Sequence, residues 1–298
     1  MLPKEKTHRN YLHIFRLIRP KHYIKNLFIF MPLFFAGEFY NTQQLIQVFL
    51  AFVSFSISAS AIYIFNDFRD VEEDRLHPTK KFRPLAAETI SLNTAIILMV
   101  ILLVAGLALM ASLSLNALAV LGIYLILNIF YSLFLKHISI LDVTIIAVGF
   151  VLRIFVGAII TDIPLSQWIV IMTFLLALFL AFAKRRDGVL LHLETKKKMR
   201  KVIKDYNLKF AEGAMMTMAS VTIVAYILYT TSTEVVLRLQ NEYVYLTAIY
   251  VILGILRYMQ LSLLENNSGS PTELVFKDLF LALVMIAWII HFAVLLYV

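Results

Sequence analysis

Residues 45–74 read LIQVFLAFVSFSISASAIYIF and then, without a break, Asn66-Asp67-Phe68-Arg69-Asp70-Val71-Glu72-Glu73-Asp74. The apolar run is long enough to cross the hydrocarbon of a bilayer as one helix, and the acidic string sits where that helix would end. If the helix continues, Asn66, Asp70 and Asp74 fall at i, i+4 and i+8, and Asp67 lies three residues before Asp70. One face then carries an amide and three carboxylates. Carboxylates stacked in this way repel one another, so an isolated helix gains nothing from them. Hard oxygen donors in such an array suit Mg2+, which usually takes one or two carboxylates together with substrate phosphates. An acidic helix end is often only a solvated face. Here it closes a membrane helix, and Arg75, His77, Lys80, Lys81 and Arg83 follow at once, which favours a functional site.

Working outward, the composition agrees with a membrane protein. The 298 residues are 61% hydrophobic and 15% charged, far too apolar for a soluble domain of this length. Apolar runs recur along the whole chain, which predicts an all-α polytopic membrane protein. They are continuous rather than alternating, which argues against a β-barrel. The first 25 residues are polar and basic, so no cleavable signal is expected. With no cysteine, thiol catalysis, zinc–thiolate sites and disulfides are excluded. The net charge of +8 fits cytoplasmic loops on an anionic leaflet, and no nucleic-acid motif is present.

The spacing predicts an amphipathic segment over 1–21, then nine spans at 22–40, 43–67, 89–111, 115–135, 139–160, 165–183, 213–231, 243–264 and 275–297. One transmembrane domain covers 1–298, with no internal repeat, and residues 184–212 form a basic loop able to cap a site. The N-terminus and the loops after spans 2, 4, 6 and 8 hold almost all the lysines and arginines, and the opposite loops hold only Arg238. By that bias the N-terminus is cytoplasmic and the C-terminus outside, with the acidic motif and the basic clusters on the cytoplasmic face.

Ionisable residues inside spans are candidates for function. Span 5 holds Asp142 near its inner end and Arg153 three turns deeper, either as site residues or as partners of neighbouring helices. Asn128, Ser132 and Lys136 are spaced to share one face at the end of span 4, beside Tyr131. No Ser/His/Asp arrangement stands out, and His77 and His137 read as interface residues. Carboxylates able to hold Mg2+ beside many fixed cations fit a substrate with several phosphates that loses pyrophosphate.

These strings resemble a known family. NDFRDVEED on the second of nine spans, followed by Arg83-Pro84, is similar to the UbiA superfamily of intramembrane prenyltransferases. Their UbiA-like helical bundles have nine spans and bind Mg2+–diphosphate through Asp-rich motifs on the cytoplasmic side. The closer resemblance is to the phosphoribosyl-transferring branch, the decaprenyl-phosphate phosphoribosyltransferases. It rests on Arg19-Pro20-Lys21-His22-Tyr23-Ile24-Lys25-Asn26, on 66–78 and 80–84, on Tyr131 to Lys136, on Leu141-Asp142, on Gly149 to Arg153 and on Ala183-Lys184-Arg185-Arg186. The last hundred or so residues match only as apolar spans. One departure matters. Prenyl-diphosphate users of the superfamily carry a second Asp-rich motif after span 6, and here Asp187 has no aspartate four residues on.

The resemblance implies transfer of 5-phosphoribose from phosphoribosyl diphosphate to a polyprenyl phosphate in a bacterial inner membrane. Asp67, Asp70 and Asp74 would hold Mg2+ on the donor, with Asn66 helping. Lys80, Arg83, Lys184, Arg185 and Arg186, with Lys25 in range, would hold its phosphates, and Tyr131 and Lys136 would orient the donor or leaving group. Asp142 and Arg153 join the candidate substrate-binding set. A homo-oligomer is compatible with the sequence. Two alternatives stay open: movement of a prenyl chain from its diphosphate to an aromatic acceptor, and a transporter or lipid-binding protein. The basic triplet opposes the first, and the absence of paired, broken halves opposes the second.

Overall fold

A computed structural model describes residues 12–195, 205–265, 274 and 277–297. The expected features at 1–11, the lysine-rich stretch 196–204 and most of the loop 265–272 lie outside the described residues. All regular structure among the described residues is helical. Inside hydrocarbon a helix satisfies its own backbone N–H and C=O groups, which is why the apolar runs become helices.

Residues Pro20–Phe30 wind as a 3-10 helix and lead into α1 (Met31–Phe35). Then come α2 (Thr42–Arg69), α3 (Val71–Leu76), α4 (Leu92–Leu113), α5 (Leu115–Leu133) and α6 (Leu141–Thr161). After them follow α7 (Gln167–Thr195), α8 (Leu208–Thr231), α9 (Thr233–Leu239), α10 (Ala248–Leu263) and α11 (Leu279–Tyr297). Eight helices among the described residues are long and apolar enough to cross a membrane. The ninth expected span, 22–40, is apolar but is not one long α-helix. Its 11 3-10 residues and five α residues still reach roughly 30 Å, because a 3-10 turn rises about 2.0 Å per residue against about 1.5 Å.

Several helices start on a side-chain cap. The side chains of Asn41, Ser91, Ser114 and Asn207 accept from the backbone N–H of Gln44, Thr94, Ala117 and Phe210 at 3.2, 3.2, 3.3 and 2.7 Å. Each is an N-cap ahead of an apolar run. The sixth span was expected to stop at 183. Instead α7 runs on to Thr195, since Lys and Arg propagate a helix well once it has left the hydrocarbon. The basic triplet is therefore helical, not part of a loop.

The described chain forms two compact units, each drawn from separate stretches. One takes the chain up to Leu33, Phe39–Leu135 and Leu152–Ile163; the other takes Phe34–Glu38, Lys136–Val151 and the chain from Pro164 on. In the first, the 3-10 helix runs antiparallel to α2. The His22 and Tyr63 rings are 5.2 Å apart, Tyr23 Oη is 2.9 Å from Ser60 Oγ, Asn26 Nδ2 donates to Ser56 Oγ at 2.9 Å, and the Phe30 and Phe52 rings are 5.8 Å apart. Small residues permit such closeness in membranes. A Cβ on Gly157 of α6 would fall on the carbonyl of Ile29, and Ser54 Oγ donates to the Gly106 carbonyl of α4 at 2.7 Å. Phe55, Met110, Leu121 and Val156 fill this core. The second unit buries Phe179, Met215, Tyr258 and Leu281 in one cluster. Another gathers around Tyr226, whose hydroxyl accepts from Trp288 Nε1 at 2.7 Å. The carboxylate of Asp278 caps α11 by accepting from Leu281 N–H at 2.8 Å, and hydrogen bonds from Arg257 hold it below the usual carboxylate range.

Candidate active site

The acidic string keeps helical hydrogen bonding across its break. The helix assignment pauses at Asp70, yet Asp70 N–H still donates to the Asn66 carbonyl at 2.9 Å and Asp74 N–H to the Asp70 carbonyl at 2.8 Å. The ladder expected from the spacing therefore forms. It is also buried: Asp67, Asp70 and Asp74 are 1, 5 and 2% exposed. That rejects the reading of a merely solvated acidic face, because three carboxylates leave water only where cations or donors receive them.

Two arginines of the same unit do so. Arg83 Nη1 donates to Asp74 Oδ2 at 2.5 Å and to Asp67 Oδ1 at 3.0 Å. Arg19 also pairs with Asp67 Oδ1. Arg19 sits in the left-handed region at φ 57°, just before the 3-10 helix, and its guanidinium lies 5.6 Å from the centre of the Tyr63 ring. The sequence reading placed Arg19 in a matching string but gave it no role. Its partner lies 48 residues away, a separation no local pattern reveals. Asn66 Oδ1 accepts from Ser132, which ties the ladder to α5, and Ser132 Oγ also donates to the Asn128 carbonyl at 2.8 Å. Tyr131 is half-buried one residue away, and Lys80 is half-buried in the 3-10 turn Lys80–Phe82.

Among the described residues, no three carboxylate or imidazole side chains converge as a ready metal cage. The donor set nevertheless fits a cation carried in by phosphates. Asp67 Oδ2 is buried without a hydrogen-bond partner, a state that costs about 1–3 kcal/mol and that a hard cation would relieve.

Deeper in the same unit, Arg153 is 4% exposed. Its Nε donates to Asn26 Oδ1 at 2.7 Å and its Nη2 to Tyr124 Oη at 3.2 Å, and the guanidinium lies 4.9 Å from the ring centres of both Phe55 and Tyr124. Lys25 is half-buried on the 3-10 helix.

Lys136, Asp142 and the basic triplet belong to the second unit. The face expected for Asn128, Ser132 and Lys136 is cut short. Phe134 leaves helical geometry at φ −134°, and Lys136 is buried in the 3-10 turn Leu135–His137. Asp142, 0% exposed, meets Arg185 Nε at 2.5 Å and accepts from Tyr206 Oη at 2.7 Å. Tyr206 Oη in turn accepts from Ile140 N–H at 2.7 Å. Burial, and then the bond to Asp142, push the Tyr206 hydroxyl above its ordinary range. Arg186 does something the sequence did not suggest. It donates to Glu212 Oε1 at 2.8 Å and to the carbonyls of Ser262 and Leu263 at 2.7 and 3.4 Å, closing the C-terminal end of α10. Of the triplet, Lys184 is exposed and the two arginines are buried.

Comparison with known proteins gives the family. The model of the UbiA prenyltransferase family matches residues 27–284. A decaprenyl-phosphate phosphoribosyltransferase of Mycolicibacterium smegmatis is 34% identical over 93% of this chain and 90% of its own length. One of Corynebacterium glutamicum is 31% identical over 92% and 83%. A UbiA homologue from Archaeoglobus fulgidus, solved with GPP and Mg2+, superposes with a TM-score of 0.69 at 18% identity, covering 95% of this chain and 99% of that one. The molecule is thus an integral membrane transferase, and the chain belongs to the UbiA prenyltransferase family.

Proposed function

We propose that this protein transfers a 5-phosphoribosyl group from phosphoribosyl diphosphate to a polyprenyl phosphate, at the cytoplasmic face of a bacterial inner membrane. The observation that carries the reading is the buried carboxylate ladder with its orphaned Asp67 Oδ2, set against fixed arginines. The choice of substrates is supported by two relatives named decaprenyl-phosphate phosphoribosyltransferase, each matched over more than nine-tenths of this chain. Orientation, with the N-terminus inside and the C-terminus outside, rests on the lysine and arginine bias.

Asp67, Asp70 and Asp74 would hold Mg2+ on the donor diphosphate, where its charge offsets the charge gathering on departing pyrophosphate. Arg83 and Lys80 grip the diphosphate oxygens. Asn66, fixed by Ser132, stiffens the helix end that presents the carboxylates. Tyr131 orients the donor. Lys136 is assigned with Tyr131 to orienting the donor or its leaving group, and Lys184 and Arg185 to phosphates, on their sequence pattern, with Asp142 holding Arg185 in place. Arg186, committed to Glu212 and two carbonyls, serves the fold instead.

An oxygen of the acceptor phosphate bonds to the anomeric carbon as the carbon–oxygen bond to pyrophosphate breaks, and pyrophosphate leaves with the electron pair. A phosphate monoester is largely doubly ionised at neutral pH, with its second pKa near 6, so no strong base is needed. Positioning and electrostatics supply most of the acceleration. The test is purified protein with Mg2+, labelled phosphoribosyl diphosphate and a polyprenyl phosphate. Label in the organic phase is expected. No lipid-linked product, with a prenyl diphosphate instead labelling an aromatic acid, rejects the proposal.

A further inference from the structure

Lys25 occupies an unusual place in the first unit. The antiparallel pairing of the 3-10 helix with α2 puts Tyr23 beside Ser60 and Asn26 beside Ser56. Lys25 therefore lies seven to eleven residues of α2 below Asp67, which is roughly 10–16 Å toward the membrane interior at about 1.5 Å per residue. Among the described residues, no hydrogen bond or ion pair is made by its ammonium, and its chain neighbour Asn26 accepts from the buried guanidinium of Arg153 at 2.7 Å. Arg153 also donates to Tyr124 Oη at 3.2 Å. An ammonium kept at membrane depth among like charges is costly unless an anion joins it.

We propose that Lys25, with Arg153 beside it, binds a phosphate monoester, and that this is the phosphate of the lipid acceptor. The assignment to the acceptor rests on the proposed transfer reaction. In-line displacement puts the entering oxygen on the far side of the anomeric carbon from the leaving diphosphate. With the diphosphate on the carboxylates near the membrane surface, the far side is the deeper one. A phosphate whose chain lies in hydrocarbon reaches that depth without dragging its tail through water. The donor also carries a phosphate monoester on its sugar, so two sources share this chemistry, and they have to be separated by measurement.

Binding is read in detergent by calorimetry with farnesyl phosphate, farnesol and phosphoribosyl diphosphate as separate probes, for the intact protein and for Lys25→Gln, Lys25→Met and Lys25→Arg. The expected result is loss of farnesyl phosphate affinity by about tenfold or more in both neutral variants, and retention in Lys25→Arg. Farnesol binding is expected to stay within about threefold, and so is phosphoribosyl diphosphate binding, because this proposal moves Lys25 from the donor phosphates, where the resemblance set it, to the acceptor. Unchanged farnesyl phosphate affinity in the neutral variants overturns the proposal, as does an intact protein that binds farnesyl phosphate no better than farnesol. Loss confined to phosphoribosyl diphosphate moves the donor's sugar phosphate to Lys25 and also overturns it. Binding needs no turnover, so failure of the transfer assay strikes the reaction and leaves this test standing.

Discussion

Arg83 Nη1 donates to Asp74 Oδ2 at 2.5 Å across nine residues of chain, and the same nitrogen reaches Asp67 at 3.0 Å. One guanidinium thus balances two buried carboxylates. In Arg83→Met their repulsion is released, and stability should fall by about 1–3 kcal/mol, less than for a fully buried pair because Arg83 is 25% exposed. Added Mg2+ should raise the melting temperature of the variant more than that of the parent. Equal shifts by differential scanning fluorimetry would show that the carboxylates do not receive the ion.

Asp70→Asn removes one charge from the ladder while keeping its shape. Transfer should drop by about a hundredfold or more, with the melting temperature in detergent nearly unchanged. Surviving activity with the same Mg2+ dependence would remove Asp70 from the metal site.

Gly157→Ala places a methyl group on the Ile29 carbonyl. The backbone there cannot yield as a flexible side chain would, so a loss of about 1–3 kcal/mol or more is expected. Gly122, whose Cβ would meet nothing within 4 Å, is the matched control. Thermal unfolding of the two variants side by side decides the matter.

Arg186→Ala strips the last carbonyls of α10 and leaves Glu212 without its cation. The buried guanidinium, 3% exposed, makes this a loss of about 3–5 kcal/mol. Lysine lacks the planar fork, so Arg186→Lys should recover little of it. A variant that melts like the parent but binds phosphoribosyl diphosphate poorly would restore Arg186 to the substrate.

Tyr206→Phe deletes a hydroxyl that donates to Asp142 and accepts from Ile140 N–H, at a cost of about 1–3 kcal/mol. The folded protein holds this proton more tightly than the unfolded chain does. Its share of stability is therefore whole below the ordinary tyrosine value near 10 and is lost as the pH rises beyond it. Alkaline melting curves should be steeper for the parent than for Tyr206→Phe, and parallel curves would contradict the assignment.

The fold was legible where chemistry repeats at helical spacing. Leu45 to Phe65 named a span, and the spacing of Asn66, Asp70 and Asp74 named the helix face on which the two aspartates are buried. The apolar runs place their spans without the caps Asn41, Ser91 and Ser114, which the structure adds. What stayed hidden depended on distant partners or on a change of helical period. Arg186 looks like its neighbours Lys184 and Arg185 in sequence, and only the carbonyls of Ser262 and Leu263 distinguish it. The halt of α5 at Leu133 is unmarked by glycine or proline, so Lys136 was placed on a face it does not share. The first span carried its warning in Pro20 and Pro32, but apolar content alone cannot separate a 3-10 winding from an α one.

That winding has an evolutionary corollary. With about three residues per turn, Tyr23, Asn26 and Ile29 stack along one edge and His22, Lys25 and Phe28 along another. Losing or gaining a single residue here would swing every later side chain by about 120°, turning serine-facing groups toward lipid. Changes in steps of three would preserve each edge. Sequence drift in this short stretch is thus expected to tolerate triplet length changes and to forbid single ones.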